Sequence, residues 1–180
     1  ELLEEQKDLP GAEAAYRRAI AIEPNPEISR RITVIAERAR DAGLPTEFRA
    51  IADSPQITRG DLAALIGIRL DTVIRTASPR EVVITDTRGH WAEAWITQVA
   101  QAGVDNAFDN HTFQPGSQVR RADLATAVSQ MIELLAPANP SLRAYLTQRP
   151  QIADVPPGHL NYPAVAVAVA SGIMPLLDGN

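Results

Sequence analysis

The chain carries one seven-residue stretch twice, as Ile57-Thr58-Arg59-Gly60-Asp61-Leu62-Ala63 and as Val119-Arg120-Arg121-Ala122-Asp123-Leu124-Ala125. Arginine, aspartate, leucine and alanine recur at the same places in both copies. Apolar residues continue at helical spacing after each copy, so each predicts the start of an amphipathic helix. Thr58 and Asp61 have the spacing of a capping box, whereas Arg120 replaces the threonine in the second copy, whose helix therefore needs another cap.

A second motif lies downstream of each copy. Ile84-Thr85-Asp86-Thr87-Arg88-Gly89-His90-Trp91 aligns with Ile152-Ala153-Asp154-Val155-Pro156-Pro157-Gly158-His159-Leu160, which has one inserted residue, and Gly103-Val104 aligns with Gly172-Ile173. The earlier copy predicts a helix with both tryptophans on its inner face. The alternating alanine and valine of residues 164–169 fit either a strand or a helix, and alignment with the earlier copy favours a helix.

The first 42 residues have a different pattern. Residues 1–24 predict two helices separated by a turn at Lys7–Gly11, and residues 27–42 predict a third helix. The spacing of Ala12, Tyr16, Ala19 and Pro24 resembles the second helix of a tetratricopeptide repeat (TPR). The alternative is a helical hairpin of no particular family. Because one such repeat cannot bury its own apolar face, we expect further repeats before residue 1.

Composition argues against several classes of function. Hydrophobic residues make up 45% of the chain, the formal net charge is −5 and there is no cysteine. These values speak against a nucleic-acid-binding surface and against thiolate chemistry or thiolate metal sites. The three histidines lie in separate loops without metal-ligand spacing, and no glycine-rich phosphate loop follows a strand. We therefore expect no enzyme activity, no cofactor and no metal. The longest apolar run, Ala164 to Met174, is too short to cross a bilayer.

The stretch from Ile84 to Leu135 resembles one whole S-layer homology (SLH) repeat. The resemblance rests on an opening motif, a glycine-valine pair, a turn and a helix start: Asp86…His90-Trp91-Ala92, Gly103-Val104, Asn110–Pro115 and Arg121-Ala122-Asp123-Leu124. Residues from about 44 to 77 resemble the second half of a preceding repeat, and residues 151–180 resemble the first half of a third. The predicted domains are 1–42 (TPR-like helices and a connecting helix), 43–80 (partial repeat 1), 81–136 (repeat 2) and 137–180 (a linker and half of repeat 3).

The resemblance implies an all-α fold with two principal helices per repeat, packed with pseudo-threefold symmetry. It also implies a bacterial cell-envelope protein, in the periplasm or at the cell surface, that binds cell-wall polysaccharide or peptidoglycan. The TPR-like helices would bind protein partners. The alternative is a scaffolding subunit of an envelope complex that binds no glycan.

Four residues are carried over from the family's ligand groove, which lies between neighbouring repeats: Arg59, Arg121, Asp86 and Trp91. A guanidinium near a helix N-terminus suits an anionic sugar, a carboxylate accepts from hydroxyls and an indole stacks on a sugar face.

Three of these four residues also have a structural alternative. Arg59 could pair with Asp61 or with a carboxylate of a neighbouring repeat. Asp86 could cap the following helix. Trp91 could belong to the core, and the two motif histidines could bond to backbone.

Overall fold

The computed structural model describes residues 2–6 and 8–176, and this part of the chain is mostly helical, without a strand. The all-α prediction is confirmed, whereas the pseudo-threefold arrangement stays a prediction. The α-helices of the described part are α1 (Leu2–Glu5), α2 (Leu9–Ile22), α3 (Pro26–Asp41), α4 (Thr46–Ala50), α5 (Arg59–Arg69), α6 (Asp71–Ile74), α7 (Glu93–Gln101), α8 (Arg121–Leu135), α9 (Pro140–Thr147) and α10 (Tyr162–Ala170). The chain divides into two compact units, residues 1–52 and residues 53–180.

In the first unit, α2 and α3 pack against each other as a helical hairpin. Asp8 caps α2 by accepting a hydrogen bond from the Gly11 N–H, and Asn25 caps α3. The helix therefore begins at Leu9, inside the predicted turn, because Pro10 is tolerated in a first helical turn and Asp8 satisfies the free N–H. Lys7, also part of that predicted turn, lies outside the described residues.

In the second unit, α5 and α8 both begin at the arginine of the duplicated stretch. Thr58 and Asp61 form the predicted reciprocal capping box. In the second copy the Asp123 carboxylate accepts from the Arg120 N–H at 2.9 Å, but the Arg120 guanidinium has no acceptor atom, so only half of the box can form. The residues before the two helices have nearly the same backbone angles, with φ −93° and ψ 168° at Thr58 and φ −90° and ψ 161° at Arg120.

The loops that precede α5 and α8 run antiparallel and pair with each other. The Arg59 N–H donates to the Ser117 carbonyl at 2.9 Å, and the Val119 N–H donates to the Ile57 carbonyl at 2.9 Å. These bonds flank a single bridge between Thr58 and Gln118. The two copies of the motif thus lie side by side with their helix starts adjacent.

Each of these helices packs against the helix of the next opening motif, α5 against α7 and α8 against α10. Gly67 makes the first contact close, since a Cβ at this position would lie 2.8 Å from Cδ1 of Trp95. Residues 164–169 are helical, as the alignment predicted. The 137–150 linker contains α9, which the sequence did not predict. None of the helices in the described ranges is both long and apolar enough to cross a membrane.

Candidate functional site

Arg59 is buried in a cage that its own chain provides. Its Cζ atom lies 4.6 Å from the ring centre of Phe108 and 4.5 Å from the ring centre of Phe113. Its Nη2 donates to Asp105 Oδ1 at 2.6 Å and to the Asn106 carbonyl at 2.9 Å. The side chain is only 9% exposed. We call Arg59, Asp105, Phe108 and Phe113 the Arg59 cage.

Burial governs the electrostatics of this cage. It raises the pKa of Asp105 to about 6, and the negative charge of Asp123 adds to that rise, although Arg59 opposes it. Arg59 Nε is buried and has no hydrogen-bond partner among the described residues. A buried donor without a partner is unfavourable, so the rings and the carboxylate must hold Arg59 in place.

Asp86 also bonds to its own chain. Its carboxylate accepts from the N–H of Phe113 at 2.7 Å and from the N–H of Gln114 at 2.8 Å. It does not cap α7, the role considered from the sequence. Gln114 and His111 have φ values of 57° and 60°, a conformation that non-glycine residues seldom adopt. Asp86 therefore holds the turn that places Phe113 against Arg59.

Trp91 is half-buried and packs against other aromatic rings. Its ring centre lies 5.9 Å from that of His90 and 5.9 Å from that of Trp95. His90 Nδ1 accepts from the Ala92 N–H at 3.1 Å, and His159 Nδ1 accepts from the Asn161 N–H at 3.1 Å. The expected bonds from both histidines to backbone are thus confirmed.

Arg121 has a different environment, although it begins its helix as Arg59 does. Its side chain is exposed, and its Nη2 donates to the Pro175 carbonyl at 2.9 Å. It lines a cleft of about 200 Å³ together with Asp154 and His159 from the later opening motif. Apolar side chains form the walls of this cleft, among them Ile152, Val155, Val165 and Met174. We call this site the Arg121 cleft.

Three differences in sequence distinguish the second site from the first. Gly60 lies against His90, and a Cβ there would come within 2.7 Å of His90 Cε1. The corresponding residue is Ala122, so His159 cannot approach its helix as closely. Position 160 is a leucine, 91% exposed, where the earlier motif has Trp91.

The third difference is the residue that corresponds to Asp105. After α7, the Val104 N–H donates to the Val99 carbonyl at 3.0 Å. After α10, the corresponding bond, also 3.0 Å long, runs from the Met174 N–H to the Ala168 carbonyl. Met174 rather than Ile173 therefore corresponds to Val104, which corrects the sequence alignment by one residue. Ile173 is 58% exposed, as expected for an extra residue. Pro175 then stands where Asp105 stands in the first copy, so this position supplies a carbonyl to Arg121 but no carboxylate.

The structure brings two of the four sequence-predicted site residues together. Arg59 and Asp86 are both bonded to the 105–114 loop, whereas the ring contacts of Trp91 are with His90 and Trp95. Arg121 lies apart from them, in the cleft.

The sequence analysis did not select Asp105 or the two phenylalanines. All three follow the Gly103-Val104 pair. An acidic residue and two aromatic residues after this pair are therefore the sequence signal that could have identified them. It also did not select Asp154 and His159 as site residues, although both lie in the repeated opening motif.

A family model for the S-layer homology domain matches residues 83–125. This segment of the chain is an S-layer homology domain, and such domains generally anchor proteins to cell-wall glycans, which associates the chain with the cell envelope. No curated protein and no solved structure matches the chain. The matched segment does not reach residues 1–52, so no comparison supports the TPR resemblance of the first unit.

Proposed function

We propose that this protein is a non-catalytic anchoring module that binds a cell-wall-linked glycan at the Arg121 cleft. The observation that carries the proposal is an exposed guanidinium, Arg121, which belongs to the matched S-layer homology segment and lines an open cleft. Arg121 suits an anionic group on the glycan, because a guanidinium can donate two parallel hydrogen bonds. Asp154 and the second ring nitrogen of His159 can bond to sugar hydroxyls at the same place.

Of the two duplicated arginines, Arg121 is the better candidate for ligand contact. The Arg59 guanidinium is almost fully covered by two rings and a carboxylate, and both Asp86 oxygens already accept backbone N–H bonds. A ligand could reach Arg59 only after the 105–114 loop had moved. We therefore assign Arg59 and Asp86 to positioning the repeats.

The test is retention on purified cell-wall sacculi, prepared with and without their attached polysaccharide. We expect Arg121→Ala to weaken retention about tenfold or more, the effect of losing one charge-assisted hydrogen-bonding group. Arg120→Ala is the matched control, because Arg120 is the adjacent exposed arginine, pairs with Asp123 and does not line the cleft. Its retention should stay within about twofold of wild type.

Equal retention of wild type and Arg121→Ala would rule out Arg121 as the ligand contact. No retention of either would favour a second candidate function, a scaffolding subunit of an envelope complex that binds no glycan. The buried Arg59–Asp105 ion pair favours this candidate, because in it a motif arginine contacts its own chain and no ligand. The exposed Leu160 and Ile173 add apolar surface of the kind that subunit contacts cover.

We further propose that the first unit contributes protein contacts. Leu2 in α1 is 69% exposed and Ile22 in α2 is 88% exposed, so both helices present apolar side chains to solvent. Removal of residues 1–52 should leave retention on sacculi unchanged if the two activities are separate.

A further inference from the structure

Residues 105–107 lie against Arg59 and are hydrogen-bonded to it alone. Within the described part of the chain these three residues make two hydrogen bonds, both from Arg59 Nη2, to Asp105 Oδ1 at 2.6 Å and to the Asn106 carbonyl at 2.9 Å. None of their own N–H groups donates to any described residue. We call residues 105–107 the strap. Its hydrogen bonding to the rest of the molecule therefore depends on one side chain.

The chain on either side of the strap is fixed by other bonds. Before it, Val104 is buried, and its N–H donates to the Val99 carbonyl at 3.0 Å. After it, the Phe108 N–H donates to the Thr112 carbonyl at 2.8 Å, and the turn that follows is bonded to Asp86. Of the whole 105–114 loop, the strap is thus the part that can move while the fewest hydrogen bonds break.

The strap covers Arg59 without satisfying it. Arg59 Nε is buried and has no partner among the described residues, and a buried donor without a partner is unfavourable. Of the two rings against the guanidinium, Phe108 is 42% exposed, whereas Phe113 is fully buried. Lifting the strap and turning the Phe108 ring outwards would let water reach Nε without moving Phe113 out of the core.

We propose that the strap is an autoinhibitory contact, which masks Arg59 and lifts off it as a unit while the rest of the 105–114 loop stays in place. Lifting frees both Nη2 hydrogens of Arg59 for another acceptor. Since Arg59 corresponds to the exposed Arg121, lifting gives the first copy of the motif an accessible guanidinium as well. The inference concerns the first copy, so it goes beyond glycan binding at the Arg121 cleft and does not depend on it.

Asp105 makes the strap responsive to pH. Burial raises the pKa of its carboxyl to about 6, while Arg59 at the start of α5 opposes the rise and Asp123 in the first turn of α8 adds to it. In the lifted state water reaches the carboxyl, and its pKa returns towards the ordinary value of 3.8. The closed state therefore holds the proton more tightly. Lifting becomes easier as the pH rises, by about tenfold in the opening equilibrium between pH 5 and pH 7.

The test is hydrogen exchange in the full chain, followed by NMR at pH 5, 6 and 7 on the Arg59 Nε–H and on the Phe113 backbone N–H. Each rate, compared with that of the same group in an unstructured peptide, gives an opening constant. We expect the Arg59 constant to be larger than the Phe113 constant by about tenfold or more, and to rise about tenfold from pH 5 to pH 7.

Two variants separate the strap from its surroundings. Asp105→Asn should abolish the rise with pH, because asparagine has no carboxyl proton to lose. Asp109→Asn is the matched control, since Asp109 is an exposed acid of the same loop that makes no bond to Arg59. Its opening constants should stay within about twofold of wild type at each pH.

Two results would overturn the inference. One is an equal opening constant for the Arg59 Nε–H and the Phe113 N–H, which would mean that water reaches Arg59 only when the whole loop unfolds. The other is an Arg59 constant that stays level between pH 5 and pH 7, or that rises equally in Asp105→Asn. Neither measurement contains a glycan, so this inference and the proposed anchoring function can fail separately.

Discussion

Arg59 and Arg121 begin equivalent helices after backbone of nearly the same conformation, yet the first is buried and the second is exposed. The two copies differ at three pairs of corresponding residues: Gly60 and Ala122, Trp91 and Leu160, and Asp105 and Pro175. The arginine of this motif is therefore not committed to one role. What surrounds it determines whether it stabilises the repeat or faces solvent.

The largest expected effect is a difference in the free energy of unfolding between the variants Arg59→Ala and Arg121→Ala. Arg59→Ala leaves Asp105 buried without its partner, which should lower the free energy of unfolding by about 3–5 kcal/mol. Arg121→Ala removes an exposed side chain and should cost less than about 1 kcal/mol. Urea unfolding followed by tryptophan fluorescence is the measurement, since the chain's two tryptophans both lie in the second unit. Equal losses for the two variants would contradict the contrast between a buried and an exposed site.

The pH dependence of stability should come next in size. The pKa of Asp105 is raised to about 6 in the folded state, above its ordinary value of 3.8, so the folded state binds this proton more tightly than the unfolded state does. The contribution of Asp105 to stability is therefore present below pH 4 and falls as the pH rises towards 6, by roughly 2–3 kcal/mol.

The check is urea unfolding of wild type and Asp105→Asn between pH 4.5 and 6.5. The fall should disappear in the variant. Asp71 and Asp123 have pKa values lowered by bonds to Arg75 and Arg120, so their contributions rise with pH, at values below this window. Parallel pH curves for the two proteins would show that Asp105 ionises normally.

The smallest effect tests why one site is closed and the other open. Gly60→Ala places a methyl group against the His90 ring, and we expect a loss of roughly 1–2 kcal/mol after allowing for alanine's better helix propensity. Ala122→Gly meets no such obstacle and should cost about 1 kcal/mol or less, as a plain loss of helix propensity. A Gly60→Ala variant as stable as wild type would mean that His90 moves aside freely.

Local patterns predicted the helices well but predicted burial poorly. The duplicated stretch placed the starts of α5 and α8 correctly, because the capping aspartate and the apolar spacing act within a few residues. The partner of Arg59 lies 46 residues away, and nothing in the spacing of the motif says which carboxylate arrives there. In the same way, the motif does not show that Pro175 gives Arg121 a carbonyl at the position where Asp105 gives Arg59 a carboxylate.

In the second unit, the helices that pack together come from neighbouring predicted repeats and not from the same one. The helix that ends one predicted repeat packs on the helix that begins the next, α5 on α7 and α8 on α10. Truncation after residue 136, the predicted end of repeat 2, would remove α10 from α8 and expose the core residues Ala125, Val128 and Ile132. Expression boundaries for a single working segment should therefore lie just before a duplicated arginine motif and after the loop that follows the next glycine turn, because that loop contains the partners of Arg59.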